Sequence, residues 1–138
     1  MDKHKIFYAQ LDLLHPMLSW IRGAFKEAGF DESTVRKLEL AMEEALVNII
    51  HHAYHDKPGD IDVKITSVPG QSITVILKDE GPPFNPLEEK KEAIDPSTPL
   101  EEIEEGGLGI LFMKKYMDNI SYQRQGSNNI LVLTKNLH

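Results

Sequence analysis

The chain has no cysteine. That removes disulfide frameworks, thiolate metal sites and cysteine nucleophiles from the chemistry open to it. It also lacks any apolar run near the roughly 20 residues of a membrane span. Its polar start, MDKHK, leads into no signal-peptide core. The expected location is the cytoplasm, with no membrane partner. Basic charge is scarce as well: 15 Lys and Arg stand against 22 Asp and Glu, a net charge of −7. Clustered cations hold a phosphate backbone, so no nucleic-acid partner is expected either. The acidity itself serves solubility. What remains is a globular composition, 41% hydrophobic and 27% charged. A chain of 138 residues can build one core but not comfortably two, so residues 1–138 are expected to form a single domain.

Alternation in KIFYAQL suggests an edge strand over residues 5–11. Apolar residues then recur at Leu14, Met17, Leu18, Ile21, Ala24, Phe25 and Ala28, which is helical spacing closed by a glycine. Asp31 or Ser33 can cap a second helix over residues 34–54, whose apolar face runs Val35, Leu38, Met42, Ala45, Ile49 and Ala53. Two alternating strands follow, 61–68 and 72–79, joined by a turn at PGQ. Residues 81–106 hold most of the prolines and show no period. From Glu88 to Glu105 they carry eight acids and two lysines. A loop this long in a small domain is usually functional or disordered. GGLGILFMKKYMD restarts a helix, and NISYQRQ with NNILVLTKN closes the chain as a hairpin around GSN. The order is strand, helix, helix, hairpin, loop, helix, hairpin. It predicts an α+β fold, a mixed and mainly antiparallel sheet with helices layered on one face.

Three short stretches could carry chemistry. In EEALVNIIHH, Glu44 and Asn48 are four residues apart and share one helix surface, with His52 next in the row. Such a pair most often faces water, but this one borders the most apolar turn of the chain. Its oxygens suit a hard cation such as Mg²⁺, which takes one or two protein ligands and completes its shell with phosphates and water. In DEGPPFNP, Asp79 ends a strand and Gly81 permits a tight backbone. The segment is either an ordinary strand-ending turn or the floor of a pocket where Asp79 accepts a hydrogen bond from an exocyclic amine. In EGGLGIL, Gly106, Gly107 and Gly109 precede a helix whose free N–H groups could receive phosphate. No Gly-Lys-Ser/Thr follows, so this is not a Walker A loop. Nor is it a dinucleotide fingerprint, because it follows a loop rather than a strand. The neighbouring His51, His52 and His55 could suggest zinc, yet adjacent histidines on a helix point apart, and they read better as helix-end residues.

Each signal is weak alone, and their order is far more specific. Glu-x-x-x-Asn on a helix, a strand ending Asp-x-Gly, a long loop and a Gly-x-Gly helix start together resemble the GHKL ATPase superfamily. EEALVNIIHHAY is similar to its N box, DEGPPF to its first glycine box and GGLGI to its second. The likeness covers about the whole chain and comes nearest to the stand-alone anti-sigma factor serine kinases, through HAY, GPPFNP and GGLGILFMKKYMD.

The resemblance implies a two-layer ATP-binding fold with residues 82–106 as the ATP lid. It makes Asn48 the Mg²⁺ ligand between the phosphates of ATP or ADP, and Glu44 the general base acting on the attacking hydroxyl. Asp79 would bind the adenine amine and Gly81 would let the base approach. His52, Pro83 and Phe84 would complete the base pocket, and Gly106, Gly107, Leu108 and Gly109 would lie beside the phosphates. The implied reaction is phosphorylation of a serine on an anti-anti-sigma partner of the STAS type. That partner and a sigma factor would compete for a kinase that is commonly a homodimer. Two departures stand out. Pro83 replaces the second glycine of the first box, as in a GPPF subgroup, and EEIEEGG puts Glu104 and Glu105 where several such kinases carry a base. Phosphoryl transfer needs charge compensation, so Mg²⁺ would supply more of it here, or the rate would be low.

Other classes stay open at this stage. One is a nucleotide-dependent interaction module with weak or lost catalysis. Another is the catalytic module of a two-component histidine kinase acting in trans, since the chain offers no phospho-accepting helical hairpin of its own.

Overall fold

The computed structural model describes residues 2–54, 59–87 and 107–137, of which 107–111 by backbone. The chain opens with strand β1, Asp2–Tyr8, and a 3₁₀ turn at Leu11–Leu13 leads into helix α1, Leu14–Glu27. The first strand thus lies three residues earlier than its alternation suggested. The cause is its neighbour: β1 pairs with strand β2, Asp60–Val68, from Asp2↔Thr66 to Tyr8↔Asp60. Pairing recruits the polar start of the chain, which alone shows no strand signal.

The end of α1 follows from one residue. Gly29 takes φ 101°, the left-handed conformation that costs glycine least. There its N–H donates to Lys26 O at 3.1 Å and the Phe30 N–H to Phe25 O at 3.4 Å. This pair of bonds is a Schellman cap, which satisfies carbonyls left over at the helix end. Helix α2, Glu32–Ile49, then starts on Asp31, whose Oδ1 accepts the Thr34 N–H at 2.7 Å. Of the two candidate caps, the aspartate is the one used.

α2 ends five residues before the expected boundary. Residues Ile50–Tyr54 form a single π-helical turn instead of more α-helix. Tyr54 is buried there, and its hydroxyl donates to Asp60 O at 2.5 Å while accepting the Glu80 N–H at 2.9 Å. Those partners are the first residue of β2 and the residue just past Asp79, so local sequence could not reveal them. Wide turns of this kind often mark functional sites.

Strand β3, Ser72–Asp79, helix α3, Gly107–Tyr116, and strands β4, Asn119–Gln125, and β5, Asn128–Asn136, complete the described chain. The sheet order is β1-β2-β3-β5-β4. Every neighbouring pair is antiparallel, so the α+β expectation holds with an antiparallel rather than a mixed sheet among the described residues. The final hairpin turns through Gly126 and Ser127, with Gly126 at φ 61°, as a two-residue connection requires.

Alternation decides which face packs. Ile61, Val63 and Ile65 of β2, Ile73, Val75 and Leu77 of β3, and Leu131 and Leu133 of β5 are all buried. They share one apolar cluster with Met17, Ile21 and Phe25 of α1, with Val35, Leu38, Met42 and Leu46 of α2, and with Met113 of α3. The helices therefore form one layer and the sheet the other. No helix among the described residues is long and apolar enough to cross a membrane.

Candidate functional site

Besides the Tyr54 hydroxyl, three polar side chains are buried among the described residues: Asn48, Asp79 and Asn129. Burying a polar group is costly unless it is hydrogen-bonded, so each needs a reason. All three line one narrow cavity at the C-terminal end of α2, together with Ala45, Ile49, His52, Ala53, Phe84, Pro86, Tyr122 and Leu131. Its volume of about 20 Å³ leaves room for little more than a water.

Strand order explains the convergence. β3 lies in the middle of the sheet between β2 and β5, and Asp79 is the last residue of its inward-facing row. Directly across stands Asn129 of β5, and across from that Arg124 of β4. One step inward the equivalent row is Leu77, Leu131 and Tyr122. The apolar core therefore ends in a polar row at the cavity.

Hydrogen bonds tie that row together. Asp79 Oδ1 accepts the Gly81 N–H at 2.9 Å and the Asn129 amide at 2.9 Å. The same Asn129 Nδ2 donates to Pro82 O at 2.9 Å. Asn129 Oδ1 accepts from the Tyr122 hydroxyl at 2.5 Å and from the Arg124 guanidinium at 3.2 Å. Arg124 Nη1 also donates to Gly81 O at 2.7 Å. The turn after β3 is thus held at both its N–H and its C=O. Gly81 fits because nothing larger could: a Cβ there would stand 2.4 Å from Ala53 Cβ and 2.5 Å from Ala53 Cα.

Asn48, His52, Asp79 and Phe84, all singled out from sequence, line the one cavity, and Gly81 adjoins it through Asp79. His52 is largely exposed, but its ring stacks on Phe84 with centroids 4.2 Å apart and planes 12° apart. Pro83 follows on the exposed side of the turn. Glu44 sits one helical turn before Asn48, half-buried and outside the cavity lining. Gly107, Leu108 and Gly109 belong to the first turn of α3 instead of preceding it. There the first N–H groups of a helix have no partner within it. Gly106, Glu104, Glu105, His55 and most of the expected lid lie outside the described residues. No group of three or more His, Cys, Asp or Glu that could hold a metal occurs among the described residues; His51 and His52 lie in the π-helical turn that follows α2.

Sequence reasoning missed Asn129, Tyr122 and Arg124. One signal was available. In a hairpin turning through two residues, the phase that points Leu131 and Leu133 inward also points Asn129 inward. What could not be read was that β5 pairs with β3, which sets Asn129 beside Asp79.

Residues 7–135 match the family model described as the histidine kinase-like ATPase domain. The chain is 30% identical over 122 residues to the serine-protein kinase RsbW of Bacillus subtilis, covering 86% of this chain and 74% of that protein. It matches the serine-protein kinase RsbW of Bacillus velezensis to the same identity and coverage. Among solved structures, the RsbU and RsbW domains of a Mycobacterium tuberculosis protein superpose with a TM-score of 0.68 at 15% identity, over 99% of this chain. This chain spans 32% of that longer one. The histidine kinase AdeS of Acinetobacter baumannii superposes with a TM-score of 0.52 at 14% identity, over 99% of this chain and 68% of that one. At such identities the two structures speak to the fold alone. With a family model spanning almost its whole length, the chain belongs to the histidine kinase-like ATPase domain family, among its serine-protein kinases.

Proposed function

We propose that the cavity is the base pocket of an ATP site and that the protein is an anti-sigma kinase phosphorylating a serine of a STAS-type partner. The observation that carries this reading is the meeting of Asn48 and Asp79 at one cavity, with Gly81 bonded to Asp79, from segments 31 residues apart in sequence. In this reading the carboxylate of Asp79 accepts a hydrogen bond from the 6-amino group of adenine. Gly81 keeps the turn low enough for the ring to lie over it. The first-turn N–H groups of α3, at Gly107, Leu108 and Gly109, face the phosphates and take the place of a lysine.

The residues present suit magnesium carried in by the nucleotide. A single amide oxygen, that of Asn48, is a sufficient protein contribution for an ion that keeps phosphate and water ligands. Once bound, the ion supplies charge neutralisation at the transferring phosphoryl group. Glu44 orients the partner's serine hydroxyl and takes its proton as the Oγ–phosphorus bond forms and the bond to the ADP oxygen breaks. His52 and Phe84 close the pocket mouth by stacking and must separate to admit a purine. Residues 1–138 act as one domain with 82–106 as its lid, in a cytoplasmic homodimer that binds the unphosphorylated partner or a sigma factor.

The test is incubation of the chain with γ-labelled ATP, Mg²⁺ and a STAS-domain protein carrying the acceptor serine. Label is expected on the partner with native chain and not with Glu44→Gln, which should still bind nucleotide. Tight ATP binding without partner labelling would overturn the kinase reading in favour of a nucleotide-dependent interaction module.

A further inference from the structure

Asn129 is wired for one orientation. Three groups that can supply hydrogen converge on one of its side-chain atoms: the Tyr122 hydroxyl, Arg124 Nη1 and the Phe84 N–H, at 2.5, 3.2 and 3.4 Å. Arginine and a backbone N–H can only donate, so that atom must be the amide oxygen. Acceptors surround the other atom: Asp79 Oδ1 and Pro82 O, both at 2.9 Å, with Gly81 O at 3.4 Å. A turned amide would oppose every one of these contacts except that with the Tyr122 hydroxyl, which can also accept. The –NH₂ is therefore held toward Asp79.

This has a consequence for the carboxylate. Oδ1 of Asp79 receives two N–H bonds, from Gly81 and Asn129, while Oδ2 receives none among the described residues. The carboxylate is anchored through Oδ1, which leaves Oδ2 as its open acceptor at the cavity Asp79 lines. We propose that Asn129, held by Tyr122, is a positioning residue that sets the preference of this site for 6-amino over 6-oxo purines. The proposal rests on the reading of Asp79 as the base-binding group. A fixed acceptor pairs with a 6-amino N–H and opposes the lone pairs of a 6-oxo group, leaving both buried and unpaired. A carboxylate released from Asn129 can turn and bridge to either purine through water, so discrimination narrows.

The experiment compares ATP with inosine triphosphate, which carries oxygen in place of the 6-amino group, by equilibrium binding with Mg²⁺ present. Asn129→Ala should weaken ATP about 10- to 100-fold, the loss of one hydrogen bond to a charged group. Inosine triphosphate should change little, so the ratio of affinities collapses. Tyr122→Phe removes one hydroxyl and keeps the packing; it should move the same ratio in the same direction by less, and it carries the test if Asn129→Ala does not fold. Equal weakening of both nucleotides, or an unchanged ratio in both variants, would reduce Asn129 to a structural role and overturn the proposal. Asp79→Asn separates the two readings. If it abolishes the preference and the Asn129 variants do not, only the role of Asn129 fails; if it leaves the preference intact, the base-binding role of Asp79 fails and the proposal with it.

Discussion

Gly81 lies against Ala53 so closely that a β-carbon would overlap the backbone of the π turn, 2.5 Å from Ala53 Cα and 2.8 Å from Ala53 O. The contact joins the π turn, which carries His52 and follows Asn48 at the end of α2, to the turn after β3, which follows Asp79. Backbone on both sides leaves no flexible side chain to yield. Gly81→Ala should therefore separate the two walls of the cavity. Overpacking of this kind costs about 1–3 kcal/mol, a fall in Tm of roughly 3–10 °C. Calorimetry checks the stability and nucleotide titration the site. The expected result is a folded chain with ATP affinity lowered by at least the same free energy.

Asn48→Ala tests the metal contact. Asn48 is buried at the cavity with apolar neighbours Ala45 and Ile49, so an alanine there leaves the core intact. Native chain should bind ATP more tightly with Mg²⁺ than with EDTA, and in the variant that difference should vanish. Binding that still responds fully to Mg²⁺ would remove Asn48 from the metal site.

The core prediction concerns Leu46, fully buried on α2 between helices and sheet. Leu46→Ala removes three carbons from a close-packed interior and should cost about 2–5 kcal/mol. Urea denaturation should show a lower midpoint at unchanged slope.

Stability should also bend at alkaline pH through Tyr54. Burial holds its hydroxyl in the neutral form and raises its pKa above 10.0, and the neighbouring charges of Asp79 and Glu80 push the same way. A raised folded pKa means that stability is fully present below pH 10 and is lost as pH climbs through the folded value. Tyr54→Phe should be less stable at neutral pH, having lost the bonds to Asp60 O and the Glu80 N–H. It should lose less than the native chain between pH 9 and pH 11. Unfolding followed across that range checks both halves.

At the acid end the cap of α2 behaves oppositely. Asp31 has its pKa lowered from 3.8, chiefly by accepting the Thr34 N–H. Its contribution is present above pH 4 and fades as pH falls through the folded value. Asp31→Ala should lower Tm at pH 7 and match the native chain more nearly at pH 2.

Much of this molecule was legible in one dimension. Period-2 runs located β2 and β3 within a residue, Gly29 and Asp31 marked where α1 stops and α2 starts, and the motif order singled out Asn48 and Asp79, which line one cavity, while Glu44 stands outside its lining. These are local properties: alternation, caps and permitted backbone angles act over a few residues and leave their mark there. The tertiary structure decided the rest. β1 exists from Asp2 because β2 supplies hydrogen-bond partners, and α2 yields to a π turn because Tyr54 finds Asp60 and Glu80. Above all, strand order alone brings Asn129, Tyr122 and Arg124 to Asp79. Pairing of β3 with β5 is set by where apolar faces pack and not by any run of neighbouring residues, so the sequence named the carboxylate and only the fold could name what holds it.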